Sequence, residues 1–437
     1  MSLKQSAAPW GLALLLLAAN SLSFVDRMLL TLMVDPIRAE LGISDTAISL
    51  LHGLAFASFY ALAGLPLGRL ADTWHRPRLM ALGIALWSGM TTACGFAANF
   101  AVMFAARTGV AVGEAALSPA AISLLSERFP KTMAARAIAV FQSGIFVGTA
   151  LAMLCGGLLL SWFENNPLGG PFASLSPWRM VFIAVGAPGL ILALALLFVR
   201  EPRTAASMEK SESISLKTTI THVLSNARLY GGHFLAFTAI TILAYGSISW
   251  MASVLVRVHE VTTPDAGLLL GVALLIAGPL GVLSSGFLVD AFAKRGAASG
   301  PMTAALASVA LLAVAVPAYA LAPNLETARV AAFGLAFAQS FPYGVASASL
   351  AAIAPPALRG QLIALYLMIS NLVGLTLGPL LVALMTDNYF RDDNAVGQSL
   401  ALLPLLTTPL AIAGVALCWG PYRRANSRVD AAATSHH

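Results

Sequence analysis

Long apolar segments recur along the whole chain, and their number constrains the fold more than any other feature. A helix needs about 20 predominantly apolar residues to cross the hydrocarbon core of a bilayer. Twelve segments reach this length, and short polar connections separate most of them. They are residues 10–34, 46–70, 79–98, 101–125, 136–161, 178–199, 229–256, 265–289, 301–321, 326–353, 360–386 and 398–421. The sequence therefore predicts an all-α integral membrane protein with twelve transmembrane helices.

The composition excludes a soluble domain of this size. The 437 residues are 58% hydrophobic and only 10% charged. The net charge of +6 comes from basic residues spread over short loops, which does not indicate a nucleic-acid partner. The three cysteines, at positions 94, 155 and 418, lie in apolar segments at unrelated spacings. This pattern predicts neither a disulfide framework nor a metal site.

The distribution of Lys and Arg predicts the orientation in the membrane. With both termini inside, 18 of the 25 basic residues lie on the cytoplasmic side, five lie outside and two lie within the membrane. This bias follows the positive-inside rule. We therefore expect both termini and the loop 200–228 to be cytoplasmic, in a membrane of the bacterial inner-membrane type.

The chain divides into two similar halves. The longest polar connection, residues 200–228, separates six apolar segments from six. The loop that begins Gly68-Arg-Leu-Ala-Asp72 has a counterpart that begins Gly286-Phe-Leu-Val-Asp290, and a basic pair follows each. We predict an N-terminal six-helix bundle over 1–199, a cytoplasmic linker over 200–228 and a C-terminal bundle over 229–437, related by pseudo-two-fold symmetry.

Four ionisable residues interrupt two of the apolar segments. Asp26 and Arg27 lie in the first segment, and Arg107 and Glu114 lie in the fourth. A charge near the bilayer centre costs about 2.5–3.5 kcal/mol, so such residues face a bundle interior or a cavity and mark an ion or substrate path. Positions 107 and 114 lie on one helix face, about 10 Å apart along the axis. If the two helices meet, we expect a compact double ion pair.

These charges suggest roles in proton transfer. Our hypothesis makes Asp26 and Glu114 the proton carriers, titrating as a coupled unit. Arg27 and Arg107 are their charge partners, and at least one of the two meets an anionic head group of the substrate. The alternative is an ion pair that only braces the two helices. Buried ion pairs are poor sources of stability, which favours the functional interpretation.

Two further sets of residues are candidates for the transport path. A cytoplasmic gate is predicted from the repeated loop, although a turn with a solvated basic face is the alternative; its residues are Gly68, Asp72, Arg76, Arg78, Gly286 and Asp290. Aromatic and amide residues inside apolar segments are candidates for lining a cavity, and Pro342 predicts a kink beside it. They are Tyr60, Gln142, Tyr245, Trp250, Gln339, Phe341, Tyr343, Tyr366 and Asn371.

Several of these motifs resemble a known family. The loop from Gly68 to Arg78 resembles the signature between helices 2 and 3 of the major facilitator superfamily, although Thr73 and His75 replace the usual basic residue and glycine. Phe24-Val-Asp-Arg and the stretch from Arg107 to Gly-Glu-Ala115 resemble the spinster-like branch, which is associated with lysolipids and sphingoid phosphates. The Asp-Arg pair is also shared with symporters of sugar acids and other organic anions.

The resemblance implies the major facilitator fold and a secondary active transporter that works by alternating access. Three functions stay open. The first is proton-coupled movement of a lysolipid- or sphingoid-type amphipathic substrate, which the apolar, aromatic second half would suit. The second is proton-coupled symport of a small organic anion such as a sugar acid. The third is an uncoupled lipid scramblase or membrane enzyme. The chain has no phosphate-binding loop for ATP, and the lack of His-Glu-x-x-His and Gly-x-Ser-x-Gly weakens a membrane hydrolase. We expect no cofactor, no metal and a monomer that works with its substrate, protons and the bilayer.

Overall fold

The computed structural model describes residues 3–201, 216–297, 299–355 and 357–434, and within these ranges it contains helices and no strand. The N-terminal part has nine α-helices. They are α1 (Leu3–Leu32), α2 (Val34–Leu41), α3 (Asp45–His52), α4 (Phe59–Thr73), α5 (Arg76–Cys94), α6 (Phe100–Glu114), α7 (Leu117–Arg128), α8 (Lys131–Asn165) and α9 (Pro177–Leu197). A π-helical stretch, Gly53–Ser58, joins α3 to α4, and a short 3₁₀ turn, Gly170–Phe172, precedes α9.

The C-terminal part continues the same pattern. Its helices are α10 (Leu216–Ser225), α11 (Ala227–Val258), α12 (Thr263–Lys294), α13 (Gly300–Ala320), α14 (Leu325–Ser340), α15 (Pro342–Ile353), α16 (Arg359–Leu384) and α17 (Val396–Thr434). A π-helical stretch, Met385–Phe390, and a 3₁₀ turn, Asp393–Ala395, lie between α16 and α17.

Ten helical segments of the described chain are long and apolar enough to cross a membrane. The two remaining segments predicted from the sequence, 79–98 and 326–353, correspond to α5 and to the pair α14 and α15. The second of these is interrupted at Phe341, directly before Pro342. The kink predicted at Pro342 is therefore confirmed, because proline cannot donate the backbone hydrogen bond that would continue the helix.

The chain separates into two units. The first comprises Met1–Glu212 with Val261–Val272, and the second comprises Ser213–Glu260 with Ala273–His437. Helix α12 thus contributes its first residues to one unit and the rest to the other. Part of the predicted linker 200–228 is the helix α10, while residues 202–215 lie outside the described residues. The bundle boundaries at 199 and 229 stay a prediction.

Glycines allow close contact between helices in the first unit. A Cβ added to Gly144 of α8 would lie 3.0 Å from the carbonyl oxygen of Leu17 on α1, and one added to Gly113 of α6 would lie 2.6 Å from that of Gly83 on α5. Asn20 of α1 donates a hydrogen bond of 2.9 Å to the carbonyl of Phe141 on α8. These contacts fix the positions of α1 and α6, the helices that carry the intramembrane charges.

The second unit repeats this device on its own helices. A Cβ added to Gly378 of α16 would lie 2.5 Å from the carbonyl oxygen of Ile242 on α11. The hydroxyl groups of Thr238 and Ser370 lie 2.9 Å apart across the same two helices. Helices α11 and α16 therefore pack as closely as α1 and α8 do, as two similar halves would require.

A polar cluster anchors α2 and α9 at one end of the first unit. Glu40 accepts hydrogen bonds from the Arg179 Nε at 2.7 Å and the Trp178 Nε1 at 2.5 Å. Burial raises the pKa of the Glu40 carboxyl, but hydrogen bonds from Ser176, Arg179 and Trp178 outweigh it, so that the pKa lies below its ordinary value. Glu40 is thus held as an anion at neutral pH.

Candidate functional site

The intramembrane charges meet between α1 and α6. Arg27 Nη2 of α1 donates a hydrogen bond of 2.7 Å to Glu114 Oε2 of α6. The Glu114 side chain is fully buried, whereas 13% of the Arg27 side chain remains exposed. The expectation that the first and fourth segments meet is confirmed, and Arg27 forms the exposed edge of the charged cluster.

The second ion pair that we expected is absent from the described residues. Arg107 Nη1 donates to the main-chain oxygen of Asp26 at 3.1 Å and not to its carboxylate. Successive residues of a helix point about 100° apart, so Asp26 and Arg27 do not present their side chains to α6 in the same way. The prediction of a double ion pair is wrong; one ion pair and one side-chain-to-backbone hydrogen bond take its place.

The Asp26 carboxyl group is isolated within this cluster. It is fully buried, and neither of its oxygens has a hydrogen-bond partner of normal geometry. The hydroxyl of Thr91 on α5 lies beside it, and Glu114 and Arg107 are its charged neighbours. A buried carboxylate without hydrogen bonds is costly to keep charged. The free energy of the folded protein therefore depends more strongly on the protonation of Asp26 than on that of an acid in water.

Aromatic rings surround the Arg27 guanidinium. Its Cζ lies 4.5 Å from the ring centroid of Phe24, 4.4 Å from that of Phe56 and 5.4 Å from that of Tyr60. Phe56, in the π-helical stretch, also lies 5.6 Å from the Arg107 Cζ and stacks on Tyr60. Such cation–π contacts attract a guanidinium and position it.

Sequence reasoning included Tyr60 but missed Phe56 and Thr91. Tyr60, a predicted cavity residue, is half-buried and lies beside Arg27 in the charged cluster. The spacing of Phe56 and Tyr60, four residues apart on one helix face, was a signal that would have drawn attention to Phe56. Gln142, the other cavity candidate in the first half, is exposed on α8.

The loop between α4 and α5 has the turn that the motif predicts. Helix α4 ends at Thr73, and His75 caps α5, where its Nδ1 accepts a hydrogen bond of 3.3 Å from the Arg78 backbone N–H. The imidazole thus caps the helix at the position where glycine is usual in the signature. Asp72 and Arg78 are exposed.

Arg76 differs from the other basic residues of this loop. It is completely buried, and its Nη2 forms ion pairs with Glu127 of α7, at 2.6 Å, and with Glu201, which follows α9. Its Nη1 donates to the Ser123 hydroxyl at 3.1 Å. The alternative interpretation, a turn with a solvated basic face, is therefore wrong for Arg76. This residue joins the start of α5 to α7 and to the segment after α9. The sequence does not reveal Ser123, Glu127 and Glu201 as partners because they are 47, 51 and 125 residues away along the chain.

The glycines of the two repeated loops do not mediate close helix packing. No described atom lies within 4 Å of a Cβ added to Gly68 or to Gly286. These two glycines therefore make no close helix contact in this structure. Asp290 on α12 is exposed, like Asp72 on α4. A role of these residues in a gate stays a prediction.

The second unit contains an uncharged pocket. It is bounded by α11, α15 and α16, and no charged side chain is among the residues that line it. Four of the predicted residues line it: Tyr245, Tyr343, Tyr366 and Asn371. The Tyr245 hydroxyl donates a hydrogen bond of 3.1 Å to Asn371 Oδ1. The other lining residues are Phe237, Ile240, Thr241, Ala244, Pro342, Ala346, Ser347, Leu367 and Ser370.

Three other candidates of the second half are packing residues. Trp250, Gln339 and Phe341 are buried, with at most 5% of each residue exposed. Trp250 Nε1 donates to the carbonyl of Pro379 at 3.0 Å, and Gln339 Nε2 lies 3.7 Å from the sulfur of Met251. They are not among the residues that line this pocket, and a role in lining another cavity stays a prediction.

Comparison with known proteins agrees with the fold. The sequence profile of the Major Facilitator Superfamily matches residues 16–327. The chain is 28% identical over 424 residues to an MFS-type efflux pump of Mycolicibacterium smegmatis, covering 95% of this chain and 94% of the pump. It is 26% identical to the probable L-galactonate transporter of Escherichia coli, covering 65% of this chain and 62% of that protein.

A solved structure extends the similarity to the whole fold. It is a bacterial homolog of the human lysosomal transporter Spinster, in an inward-facing and occupied conformation. The two chains are 27% identical, with a TM-score of 0.78, and the match covers 98% of this chain and 99% of the other. The predicted twelve-helix, two-bundle architecture is confirmed by these matches, and so is the prediction that the protein is not an enzyme. The chain belongs to the major facilitator superfamily and is a spinster-like, multi-pass membrane transporter.

Proposed function

We propose that this transporter moves a lysolipid- or sphingoid-type amphipathic anion by alternating access, and that proton binding to Asp26 and Glu114 drives the movement. The observation that carries the proposal is the Arg27–Glu114 ion pair at the exposed edge of an otherwise buried cluster. An anionic head group that binds Arg27 competes with Glu114 for the same guanidinium. Glu114 then loses its partner, and a proton compensates for the lost positive charge.

The chemistry of Arg27 suits such a head group. A guanidinium presents a planar fork of donors that matches phosphate and carboxylate. Arg27 is the one member of the four-residue cluster with appreciable exposure, and three aromatic rings hold it in place. Arg107 is buried and donates to the main-chain oxygen of Asp26. We therefore propose that Arg107, from α6, positions α1.

The uncharged pocket of the second unit supports an amphipathic substrate. Tyrosine, phenylalanine and leucine side chains provide apolar surface, while Thr241, Ser347 and Asn371 provide a few uncharged polar groups. Ligand sites commonly combine such surfaces, with polar groups that set orientation. We therefore propose that this pocket favours a substrate that has an apolar part.

A small organic anion such as a sugar acid is the second candidate. The similarity to a probable L-galactonate transporter favours it, and a carboxylate would use the same guanidinium. The two candidates differ in the apolar part of the substrate, because a sugar acid offers none to the tyrosine-lined pocket.

Uptake by proteoliposomes separates these candidates. We expect a labelled lysophospholipid to accumulate when a pH gradient is imposed, and unlabelled lysophospholipids to compete better as their acyl chains lengthen. Tyr366→Ala should weaken this dependence on chain length, whereas Tyr389→Ala, which alters an exposed tyrosine outside the pocket, should not. Competition by hexonates and hexuronates with no effect of lysophospholipids would establish the second candidate and end the first.

The orientation and the gate belong to the same proposal. We place both termini on the cytoplasmic side of a bacterial inner membrane and treat the protein as a monomer. Asp72 and Asp290, both exposed near helix ends that carry basic residues, are proposed to act in a cytoplasmic gate with Gly68, Arg76, Arg78 and Gly286. Within this set, Arg76 is the fixed element, because Glu127 and Glu201 hold it.

A further inference from the structure

Helix α10 directly precedes a candidate membrane-spanning helix. It spans Leu216–Ser225, and only Asn226 separates it from α11, which is long and apolar enough to cross the bilayer. A ten-residue helix is too short to cross by itself. Since α11 begins at Ala227, α10 directly precedes the start of this candidate membrane-spanning helix.

One side of α10 is bonded to the transmembrane helices. Thr219 is fully buried, and its hydroxyl donates to the side-chain oxygen of Gln361 in the first turn of α16. The His222 Nε2 lies 3.1 Å from the Tyr230 hydroxyl on α11. Residues 219 and 222 are three apart and share one helix face. These contacts fix the rotation of α10 about its own axis.

The two flanks beside this face differ in polarity. Ile220 and Leu224, four residues apart, are 42% and 69% exposed and form an apolar flank. Thr218 and Ser225 are exposed on a polar flank, about 100° or more from both apolar residues, and Thr221 is exposed between this flank and Leu224, about 60° from Leu224. The helix therefore has a protein-facing side, an apolar exposed flank and a polar exposed flank.

We propose that α10 lies in the bilayer interface, with Ile220 and Leu224 inserted among the acyl chains and the hydroxyl flank facing water. Two observations select lipid as the occupant. Helix α10 directly precedes α11 in the chain, and α11 itself exposes Leu235. Residues 216–228 contain Lys217 and Arg228 and no acid, so the segment complements an anionic headgroup region.

In this arrangement, α10 contacts the membrane surface on one side and two transmembrane helices on the other. Its hydrogen bonds reach α16 through Gln361 and α11 through Tyr230. A change in the depth of α10 is therefore transmitted to the ends of both helices. The inference depends on the membrane position of α11 and not on the identity of the substrate.

Spin labels on single cysteines test the position of the two flanks. In the protein with Cys94, Cys155 and Cys418 replaced, labels at Ile220→Cys and Leu224→Cys are compared with matched labels at Thr218→Cys and Ser225→Cys in lipid nanodiscs. We expect the first pair to be relaxed by oxygen and protected from a water-soluble nickel chelate, and the second pair to show the reverse. Equal access of the chelate to all four labels would contradict the proposal. Protection of the first pair from both reagents would also contradict it, because protein would then cover the flank.

Nanodiscs of different charge test the choice of headgroup. In discs with phosphatidylglycerol, the labels at positions 220 and 224 should lie deeper than in discs of phosphatidylcholine alone. Lys217→Gln combined with Arg228→Gln should remove this difference, while Arg329→Gln, at an exposed position on α14, should leave it unchanged. An unchanged depth in both lipids would overturn the role of anionic headgroups.

Discussion

At the scale of single residues, the adjacent pair Asp26 and Arg27 performs two different tasks. Arg27 pairs with Glu114 and contacts three aromatic rings, while the Asp26 carboxyl has no hydrogen-bond partner of normal geometry. The difference arises because neighbouring side chains on a helix diverge. Removing the charge from Asp26 and from Glu114 should therefore affect stability in opposite directions.

We expect Glu114→Gln to lower the thermal stability of the purified protein and Asp26→Asn to leave it unchanged or raise it. The first substitution leaves Arg27 without its anionic partner, which costs about 1–3 kcal/mol for a charged hydrogen bond. The second replaces a desolvated acid that has no hydrogen bond with a neutral amide. Melting temperatures in detergent would check both; an equal loss in the two variants would contradict the assignment of the single ion pair.

Glu40 provides a prediction for the dependence of stability on pH. Its pKa is lower in the folded protein than its ordinary value near 4.5, so the folded state binds fewer protons than the unfolded state does as the pH falls. The stabilisation by Glu40 is present above the ordinary pKa and is lost as the pH decreases through the lowered pKa. Because the Glu40 side chain is 36% exposed, we expect at most about 1 kcal/mol.

The test compares melting temperatures of the wild type and Glu40→Gln over pH. The two should differ at pH 7, and the difference should close in acid. Glu326→Gln is the matched control, since Glu326 pairs with Arg329 only at an exposed surface. A difference that persists below the folded pKa would show that the carboxylate charge is not what stabilises the anchor of α2 to α9.

At the scale of elements, glycine contacts place the helices that carry the charges. A methyl group at Gly113 would lie 2.6 Å from the Gly83 carbonyl oxygen and 2.8 Å from the Trp87 backbone nitrogen. Gly113→Ala should therefore push α6 away from α5, lower stability by about 1–3 kcal/mol and disturb Glu114 next to it. Gly89→Ala on α5 has no described atom within 4 Å of the new methyl group and should be neutral or slightly stabilising. Equal melting temperatures for both variants would contradict this.

Much of the architecture was predictable from the sequence because lipid imposes one simple requirement on each segment. Apolar runs of about 20 residues identify the helices, and Pro342 identifies the break between α14 and α15. Pairings across helices were not predictable, because they depend on the rotation of each helix about its axis. Hence the charged residues were predicted, but the hydrogen bond from Arg107 to the main-chain oxygen of Asp26 and the ion pairs of buried Arg76 with Glu127 and Glu201 were not.

The rotation of each helix also decides which of the predicted residues reach the pocket of the second unit. Tyr245 and Trp250 both lie on α11, but only Tyr245 faces the pocket, while Trp250 is bonded to Pro379. The two residues are five positions apart, and at about 100° per residue their side chains point about 140° away from each other. The sequence lists residues of suitable chemistry, and the rotation of the helix selects among them.

At the scale of the whole molecule, the orientation in the membrane follows from the uneven distribution of basic residues. We expect a cysteine at Asn165, the last residue of α8, to react with a membrane-impermeant maleimide in intact cells. A cysteine at Ser213 should react only after the cells are opened, because the basic segment 200–228 is placed inside. Reaction of Ser213→Cys but not Asn165→Cys in intact cells would reverse the topology.

The central claim is that the buried acids couple transport to protons. Asp26→Asn and Glu114→Gln retain approximate shape while removing the group that a proton neutralises. Both are compared with the wild type and with Glu40→Gln, which removes an acid outside the cluster.

The most direct measurement is transport of a labelled substrate into proteoliposomes, with and without an imposed pH gradient, by each purified and folded variant. We predict that Asp26→Asn and Glu114→Gln bind substrate and exchange it across the membrane but no longer accumulate it when the gradient is applied. Glu40→Gln should accumulate substrate as the wild type does. Gradient-driven accumulation at the wild-type level in both cluster variants would contradict the account.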